Sequence, residues 1–118
     1  MLNFDSAIHK HALWKSRFRT AISQCASLDV PTIEKDHCCE LGKWLLGDGH
    51  STFGHLRSHA YCVLNHAEFH KEAGKVARLI NEKKYAEAES LLADESHFSR
   101  LSYILLGAFA ELESEANR

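Results

Sequence analysis

A near-absence of helix-breaking residues is the feature that most constrains how this chain can fold. Pro31 is the only proline in 118 residues, and four of the six glycines lie between residues 42 and 54. Proline and glycine are the residues that most disfavour a helix interior, so a chain poor in both is usually helical. The sequence shows neither an alternating strand pattern nor an internal repeat. We therefore expect an all-α fold.

The first predicted helix follows from apolar residues that recur at steps of three and four, a spacing that places them on one helical face. This stripe consists of Ala7, His11, Trp14, Phe18, Ala21, Cys25 and Leu28. The pattern predicts a helix from about residue 3 to about residue 28. Pro31 should end it, because proline disfavours helical geometry at the residue before it.

Two helices are predicted in the middle of the chain. A short one spans about residues 37–46, with Asp36 as its candidate N-cap and a stop at Gly47-Asp48-Gly49. A long one follows from about residue 52 to residue 82. Its expected seam consists of Leu56, His59 or Ala60, Val63, His66, His70, Ala73, Ala77 and Ile80.

We expect two more helical segments. One is a short amphipathic segment around residues 85–92, and the other is a last helix over about residues 96–116. The expected buried stripe of the last helix is Phe98, Leu101, Leu105, Ala108 and Leu112. Long helices with compact connections favour an antiparallel four-helix-type bundle, here with an additional short helix that carries a cysteine.

Charge and hydropathy narrow the classes of function. The net charge is −2 with neutral histidines, so there is no strong electrostatic case for nucleic-acid binding, which requires a basic surface. No apolar run approaches the roughly 18 residues of a membrane span, and the first residues do not resemble a signal peptide. We expect a single cytoplasmic domain over residues 1–118, without direct contact with nucleic acid or membrane.

Cysteine and histidine content points to a metal. The cysteines are Cys25, Cys38, Cys39 and Cys62, and nine histidines accompany them. In a reducing compartment, clustered cysteines indicate metal binding or reactive thiols more often than disulfides, and histidine is the commonest metal ligand.

The strongest local signal is the pair His66 and His70. Residues four apart lie on one helical face, close enough to bind one metal ion. His55 and His59 have the same spacing, but His66 and His70 continue the apolar seam, whereas His55 falls outside it. His59 lies two turns before His66, too far to share its metal, so we expect it to be a core or solvent-edge histidine.

Two single residues are further candidates. His11 is the only histidine on the apolar face of the first helix, where a hydrogen-bonded core role is the alternative to ligation. Cys39 falls in the first turn of the short helix, where the positive end of the helix should lower the thiol pKa and favour the metal-binding thiolate. The alternative for Cys39 is a buried cysteine that binds no metal. Gly42 should let a neighbouring backbone pack closely against this helix.

Three motifs together resemble a known family. The segment Cys39-Glu40-Leu41-Gly42-Lys43-Trp44 resembles the C-x-[LF]-G-x-W signature of the chemoreceptor zinc-binding (CZB) domain. His11 with Trp14 resembles its H-x-x-W element, and His66 with His70 its H-x-x-x-H pair. The resemblance covers roughly residues 3 to 115. It implies one Zn²⁺ bound by His11, Cys39, His66 and His70.

This ligand set and the resemblance together indicate a sensor. All four positions of a tetrahedral zinc would be filled by protein, whereas catalytic zinc keeps one position open, so we expect no enzyme. CZB domains occur in bacterial chemoreceptors, which control chemotaxis, and in diguanylate cyclases. The resemblance implies a response to zinc, or redox sensing of oxidants such as hypochlorous acid through Cys39. Asp36 or Glu40 could tune the thiolate, and Cys38 is either a bystander or a resolving thiol.

The resemblance also implies a homodimer that acts on a signalling domain of a chemoreceptor or cyclase, in cis or in trans. Tyr103 and Phe109 could pack within the monomer or across a dimer interface. Three alternatives remain open at this stage. They are a structural zinc-stabilised dimerisation or interaction module without sensing, a two-iron bundle of the hemerythrin type, and a metal-free helical dimerisation domain.

Overall fold

The computed structural model describes residues 4–37 and 39–117, and these residues confirm the all-α prediction. They form eight helices and no strand. The helices are α1 (Phe4–Ala12), α2 (Trp14–Gln24), α3 (Val30–Ile33), α4 (Glu40–Leu46), α5 (Asp48–Phe53), α6 (Arg57–Asn81), α7 (Tyr85–Leu91) and α8 (His97–Ala116). None of these helices is both long enough and apolar enough to span a membrane.

The 25-residue helix α6 is the centre of the bundle. Helix α8 packs along it, and α2, α3, α4 and α7 also contact it. The predicted stripe of α8 is buried in full: Phe98, Leu101, Leu105, Ala108 and Leu112. Phe109 is also in the core, whereas Tyr103 is 77% exposed. The last helix therefore packs on the face that its periodicity predicted, whereas Cys25, expected in the stripe of the first helix, is exposed.

The first predicted helix is divided into α1 and α2 and ends earlier than expected. Leu13 separates the two, yet it keeps right-handed helical angles and its N–H donates to the carbonyl of His9 at 3.2 Å. Helix α2 stops at Gln24 because Cys25 adopts a left-handed conformation with φ of 52°. The N–H of Ala26 then donates to the carbonyl of Ala21, the Schellman arrangement that usually has glycine at the left-handed position.

Pro31 begins a helix rather than ending one, contrary to prediction. It lies in the first turn of α3, where its missing N–H is not needed. Asp29 is the N-cap: its carboxylate accepts from the backbone N–H of Thr32 at 3.4 Å and from the Thr32 hydroxyl at 2.8 Å. The chain thus turns into a short segment, residues 28–37, which we call the strap.

The strap lies along one face of α6. The side chain of Asn81 accepts from the N–H of Leu28 and donates to its carbonyl, both at 2.8 Å. Arg78 forms an ion pair with Glu34. Gly74 is one turn further towards the start of α6, and its missing side chain admits the backbone of Glu34. These contacts hold the strap in register with α6.

The N-cap predicted for the short helix is wrong. Asp36 does not cap α4; Cys39 does, since its sulfur accepts from the backbone N–H of Gly42 at 3.3 Å. Sulfur is not among the preferred capping atoms, so the sequence favoured the nearby aspartate. Helix α4 ends at Gly47 as predicted, but Asp48 starts the additional helix α5, which the pattern did not indicate.

Candidate metal centre

Four side chains from three parts of the chain converge inside the bundle. His11 comes from α1, Cys39 from the start of α4, and His66 and His70 from successive turns of α6. One ligand atom from each lies within 4.8 Å of all the others. The structure therefore brings together all four of the residues that the sequence selected as metal ligands.

The distances between these atoms fit a tetrahedral zinc ion. The Nε2 atom of His66 lies 3.2 Å from that of His11 and 3.1 Å from that of His70. The sulfur of Cys39 lies 3.9, 3.3 and 3.6 Å from the Nε2 atoms of His11, His66 and His70. Standard Zn–N and Zn–S lengths give tetrahedron edges of about 3.4 Å between nitrogens and about 3.6 Å between sulfur and nitrogen.

Burial keeps the histidines of α6 neutral. His66 and His70 are only 1% and 2% exposed. Burial, followed by the neighbouring His70 and His11, lowers the pKa of His66 to about 2. Burial also lowers the pKa of His70, although its hydrogen bond to the carbonyl of Ile33 acts in the opposite direction. Neutral imidazole is the form that binds a metal ion.

The strap fixes the orientation of His70. The Nδ1–H of this ring donates to the carbonyl of Ile33 at 2.8 Å, so the neutral ring presents an unprotonated Nε2 to the cluster. A carbonyl partner on the second ring nitrogen is the usual way in which proteins orient a metal-binding histidine. This partner was not predicted from the sequence. The one available signal was Gly74, since glycine within a helix can allow a neighbouring backbone to approach closely.

Gly42 brings α4 against the cluster, as its position predicted. A Cβ atom there would overlap the carbonyl oxygen of Asp36 and would lie 3.1 Å from Cε1 of His66. Glycine therefore lets the strap and α6 approach α4 together. Because the N–H of Gly42 also donates to the sulfur of Cys39, the same residue supports the thiolate.

The prediction that the helix terminus lowers the thiol pKa of Cys39 is wrong for the metal-free site. Burial raises this pKa, and the hydrogen bonds from Gly42 and Leu41 oppose the rise without cancelling it. Desolvation of a charged sulfur is the largest cause, and the negative charge of Asp36 adds to the rise. A cation at the centre of the cluster would reverse the balance, since a coordinating thiol is deprotonated by its metal.

Aromatic rings enclose the histidine side of the cluster. Trp14 packs edge-on against His70, with ring centroids 6.4 Å apart, and also contacts Phe18 at 5.3 Å. Phe69 lies 5.6 Å from the ring of His11. Cys39 is half-buried, whereas the three histidines are buried. Cys39 is therefore the most solvent-accessible of the four residues.

His59 and His55 lie outside the cluster, as expected. His59 is buried, and its Nε2–H donates at 2.7 Å to the carbonyl of Leu45, one of the unpaired carbonyls at the end of α4. His55 and His9 are exposed.

The remaining cysteines are not part of the cluster. Cys62 is buried in the core, and burial raises its pKa to about 12. Cys25 is exposed. The predicted role of Cys38 lies outside the described residues.

The donor set indicates the chemistry of the site. Within residues 4–37 and 39–117, it is the one group of three or more candidate ligands, and it contains no carboxylate. A two-iron centre requires bridging carboxylates, so this cluster does not fit the hemerythrin-type alternative. Three imidazoles and one thiolate are a typical closed set for zinc.

Comparison with known families agrees with this geometry. Residues 11–77 match the model of the chemoreceptor zinc-binding domain, CZB. This match covers more than half of the chain, and the chain belongs to the CZB family. Zinc is therefore the metal of this domain, with His11, Cys39, His66 and His70 as its candidate ligands. Neither the curated proteins nor the solved structures contain a match to the chain.

Proposed function

We propose that this zinc-binding domain is the input module of a bacterial signalling protein of the chemoreceptor or diguanylate cyclase type. Its zinc site would respond to oxidants such as hypochlorous acid, to zinc availability, or to both, and it would carry out no catalysis. The observation that supports this proposal is the position of Cys39, the one sulfur in a closed set of four donors and the one donor that is not buried.

Oxidation of Cys39 would change the donor set directly. A thiolate and hypochlorous acid give a sulfenic acid and chloride, and the sulfenic acid is a poorer ligand than the thiolate. Bound zinc supplies charge that keeps Cys39 deprotonated and joins three segments of the chain. Without the Cys39 thiolate, only the three histidines of α1 and α6 remain as donors.

The structural consequence would centre on α4. Cys39 is both a candidate ligand and the N-cap of this helix, through its bond from Gly42. Loss of a cap costs about 1 kcal/mol, and loss of the ligand removes the link between α4 and His66. Helix α4 would then shift relative to α6, which provides a change that an attached signalling domain could detect.

The first experiment is metal analysis. Elemental mass spectrometry of tag-free protein, purified without added metal, should give close to one zinc per chain, with weaker retention in Cys39→Ala. Two irons per chain, or no metal in the wild type, would contradict the assignment.

The sensing step needs a second experiment. A chromogenic chelator should report zinc release when hypochlorous acid is added to the wild type, and Cys62→Ala should behave identically because Cys62 is buried and its pKa is raised. If zinc is retained after Cys39 has been oxidised, the site is structural, and the alternative of a zinc-stabilised dimerisation module without sensing would replace the proposal.

We further propose that the domain functions as a homodimer in the protein that contains it. Large apolar side chains remain exposed on the two longest helices, with Leu64 at 62% on α6 and Tyr103 at 77% on α8. Sedimentation equilibrium should give twice the chain mass. A monomer at all concentrations tested would refute this part of the proposal.

A further inference from the structure

A cleft of about 380 Å³ has Cys39 in its wall, together with residues of α1, α2 and α4. Its charged lining residues are Lys10, Arg17 and Glu40, and Leu13, Trp14 and Leu41 add apolar surface. A water molecule occupies about 30 Å³, so the cleft is much larger than an oxidant of two or three atoms requires. Its volume falls within the range of clefts that bind small organic molecules.

The charge at this cleft is set by Arg17. Its guanidinium carbon lies 4.4 Å above the centre of the Trp14 ring. No carboxylate among residues 4–37 and 39–117 pairs with it. Lys10, in contrast, is paired with Glu40 at 2.8 Å, so these two charges compensate one another. The cleft therefore has one uncompensated positive charge, held in place by a cation–π contact beside the path to Cys39.

A second cleft, of about 370 Å³, is also lined by Trp14, Arg17 and Cys39. Asp29 lines it too; the bonds that its carboxylate accepts from Thr32 leave its charge in place, so it offsets Arg17 there. The excess of positive charge beside Cys39 is therefore a property of the first cleft. An anion that enters the first cleft meets the guanidinium of Arg17.

We infer that Cys39 exchanges with small disulfides that carry carboxylates, and that Arg17 selects them. The Cys39 thiolate attacks one sulfur of the disulfide, a new S–S bond forms to Cys39, and the other half leaves as a thiolate. The product is a mixed disulfide, which no longer donates a thiolate to the metal and is protected from irreversible oxidation. This inference rests on the proposed function only in requiring that Cys39 is a metal-binding thiolate.

Three reagents of similar size and different charge test the inference on the zinc-loaded chain. Dithiodipropionate is anionic, hydroxyethyl disulfide is neutral and cystamine is cationic. Mass spectrometry of digests gives the rate of adduct formation at Cys39, divided by the rate at the exposed Cys25 of the same molecule. We expect the relative rate to fall from anion to neutral to cation, with a step of roughly fivefold for one partly exposed charge pair.

Variants assign the preference to Arg17. Arg17→Gln should abolish the charge order, and Arg17→Lys should keep most of it. Arg19→Gln is the matched control, because Arg19 lies on the same helix, lines neither cleft to Cys39 and is paired with Glu89 at 3.6 Å. Zinc content measured on each variant separates loss of selection from loss of the site.

Two outcomes would overturn the inference: a wild-type rate that does not depend on reagent charge, or a charge order that persists in Arg17→Gln. The experiment uses no hypochlorous acid. A result that refutes the charge order therefore has no bearing on whether hypochlorous acid releases zinc. Likewise, retention of zinc after treatment with hypochlorous acid would not decide whether the exchange rate depends on reagent charge.

Discussion

Replacing Gly74 with alanine should weaken zinc binding although residue 74 supplies no candidate ligand atom. A Cβ atom at this position would lie 2.7 Å from Cβ and 3.3 Å from Cα of Glu34. The first distance is too short for two carbon atoms, and neither atom is the end of a flexible side chain. The strap must therefore move away from α6, and the carbonyl of Ile33 moves with it from its 2.8 Å bond to His70.

Two opposing effects decide the stability of Gly74→Ala. Alanine is favoured over glycine in a helix interior by about 1 kcal/mol. Overpacking of a well-packed contact costs about 1–3 kcal/mol. The net change should lie between about zero and about 2 kcal/mol of destabilisation. Loss of the orienting bond to His70 should reduce zinc affinity by about 10- to 100-fold, the usual effect of removing an outer-shell partner.

Gly107→Ala is the control for helix propensity. Gly107 lies within α8, and a Cβ atom there would meet nothing within 4 Å. This variant should be stabilised by up to about 1 kcal/mol, with unchanged zinc affinity. Urea unfolding of the metal-free chains gives the stability difference, and chelator competition gives the affinity. If Gly74→Ala matched Gly107→Ala in both measurements, the proposed role of the strap in orienting His70 would be refuted.

Three shorter predictions follow from individual side chains. The pKa of His66 is lowered from 6.5 to about 2 in the folded metal-free chain, so the unfolded state takes up a proton first as the pH falls below about 6.5. For this group alone, the free energy of unfolding in urea should fall by about 1.4 kcal/mol between about pH 7.5 and about pH 5.5. Equal stability at the two pH values would contradict the assignment. His59→Phe should lower the free energy of unfolding by about 1–3 kcal/mol because it leaves the carbonyl of Leu45 without its donor. Zinc content should not change. Loss of zinc would instead indicate that His59 contributes to the site. Glu40→Gln breaks only the exposed pair with Lys10, so chelator competition should give the wild-type zinc affinity, and a clear change would show that this carboxylate tunes the thiolate.

Those parts of the fold that depend on local periodicity could be predicted from the sequence. The stripe from Phe98 to Leu112 is buried as expected because a spacing of three and four fixes one helical face regardless of the partner. His66 and His70 share a metal cluster for the same reason. Cys39 was identified by its motif, and the structure places its sulfur next to both rings.

Features that depend on unusual residues or distant partners could not be predicted. The end of α2 could not be predicted because Cys25 adopts a left-handed conformation that is normally found at glycine or asparagine. The cap of α4 could not be predicted because sulfur rarely caps a helix. The bond from His70 to Ile33 joins residues 37 positions apart, and Gly74 indicates only that some segment packs closely against α6, not which one. The net pKa of Cys39 depends on burial, which a sequence motif does not specify.

X-ray absorption at the zinc edge can show whether one zinc is bound by Cys39, His11, His66 and His70. We expect one sulfur at about 2.3 Å and three nitrogens at about 2.0–2.1 Å from the zinc. The sulfur shell should disappear in Cys39→Ala. A wild-type spectrum without sulfur, or one with six oxygen or nitrogen neighbours, would contradict the four-ligand site.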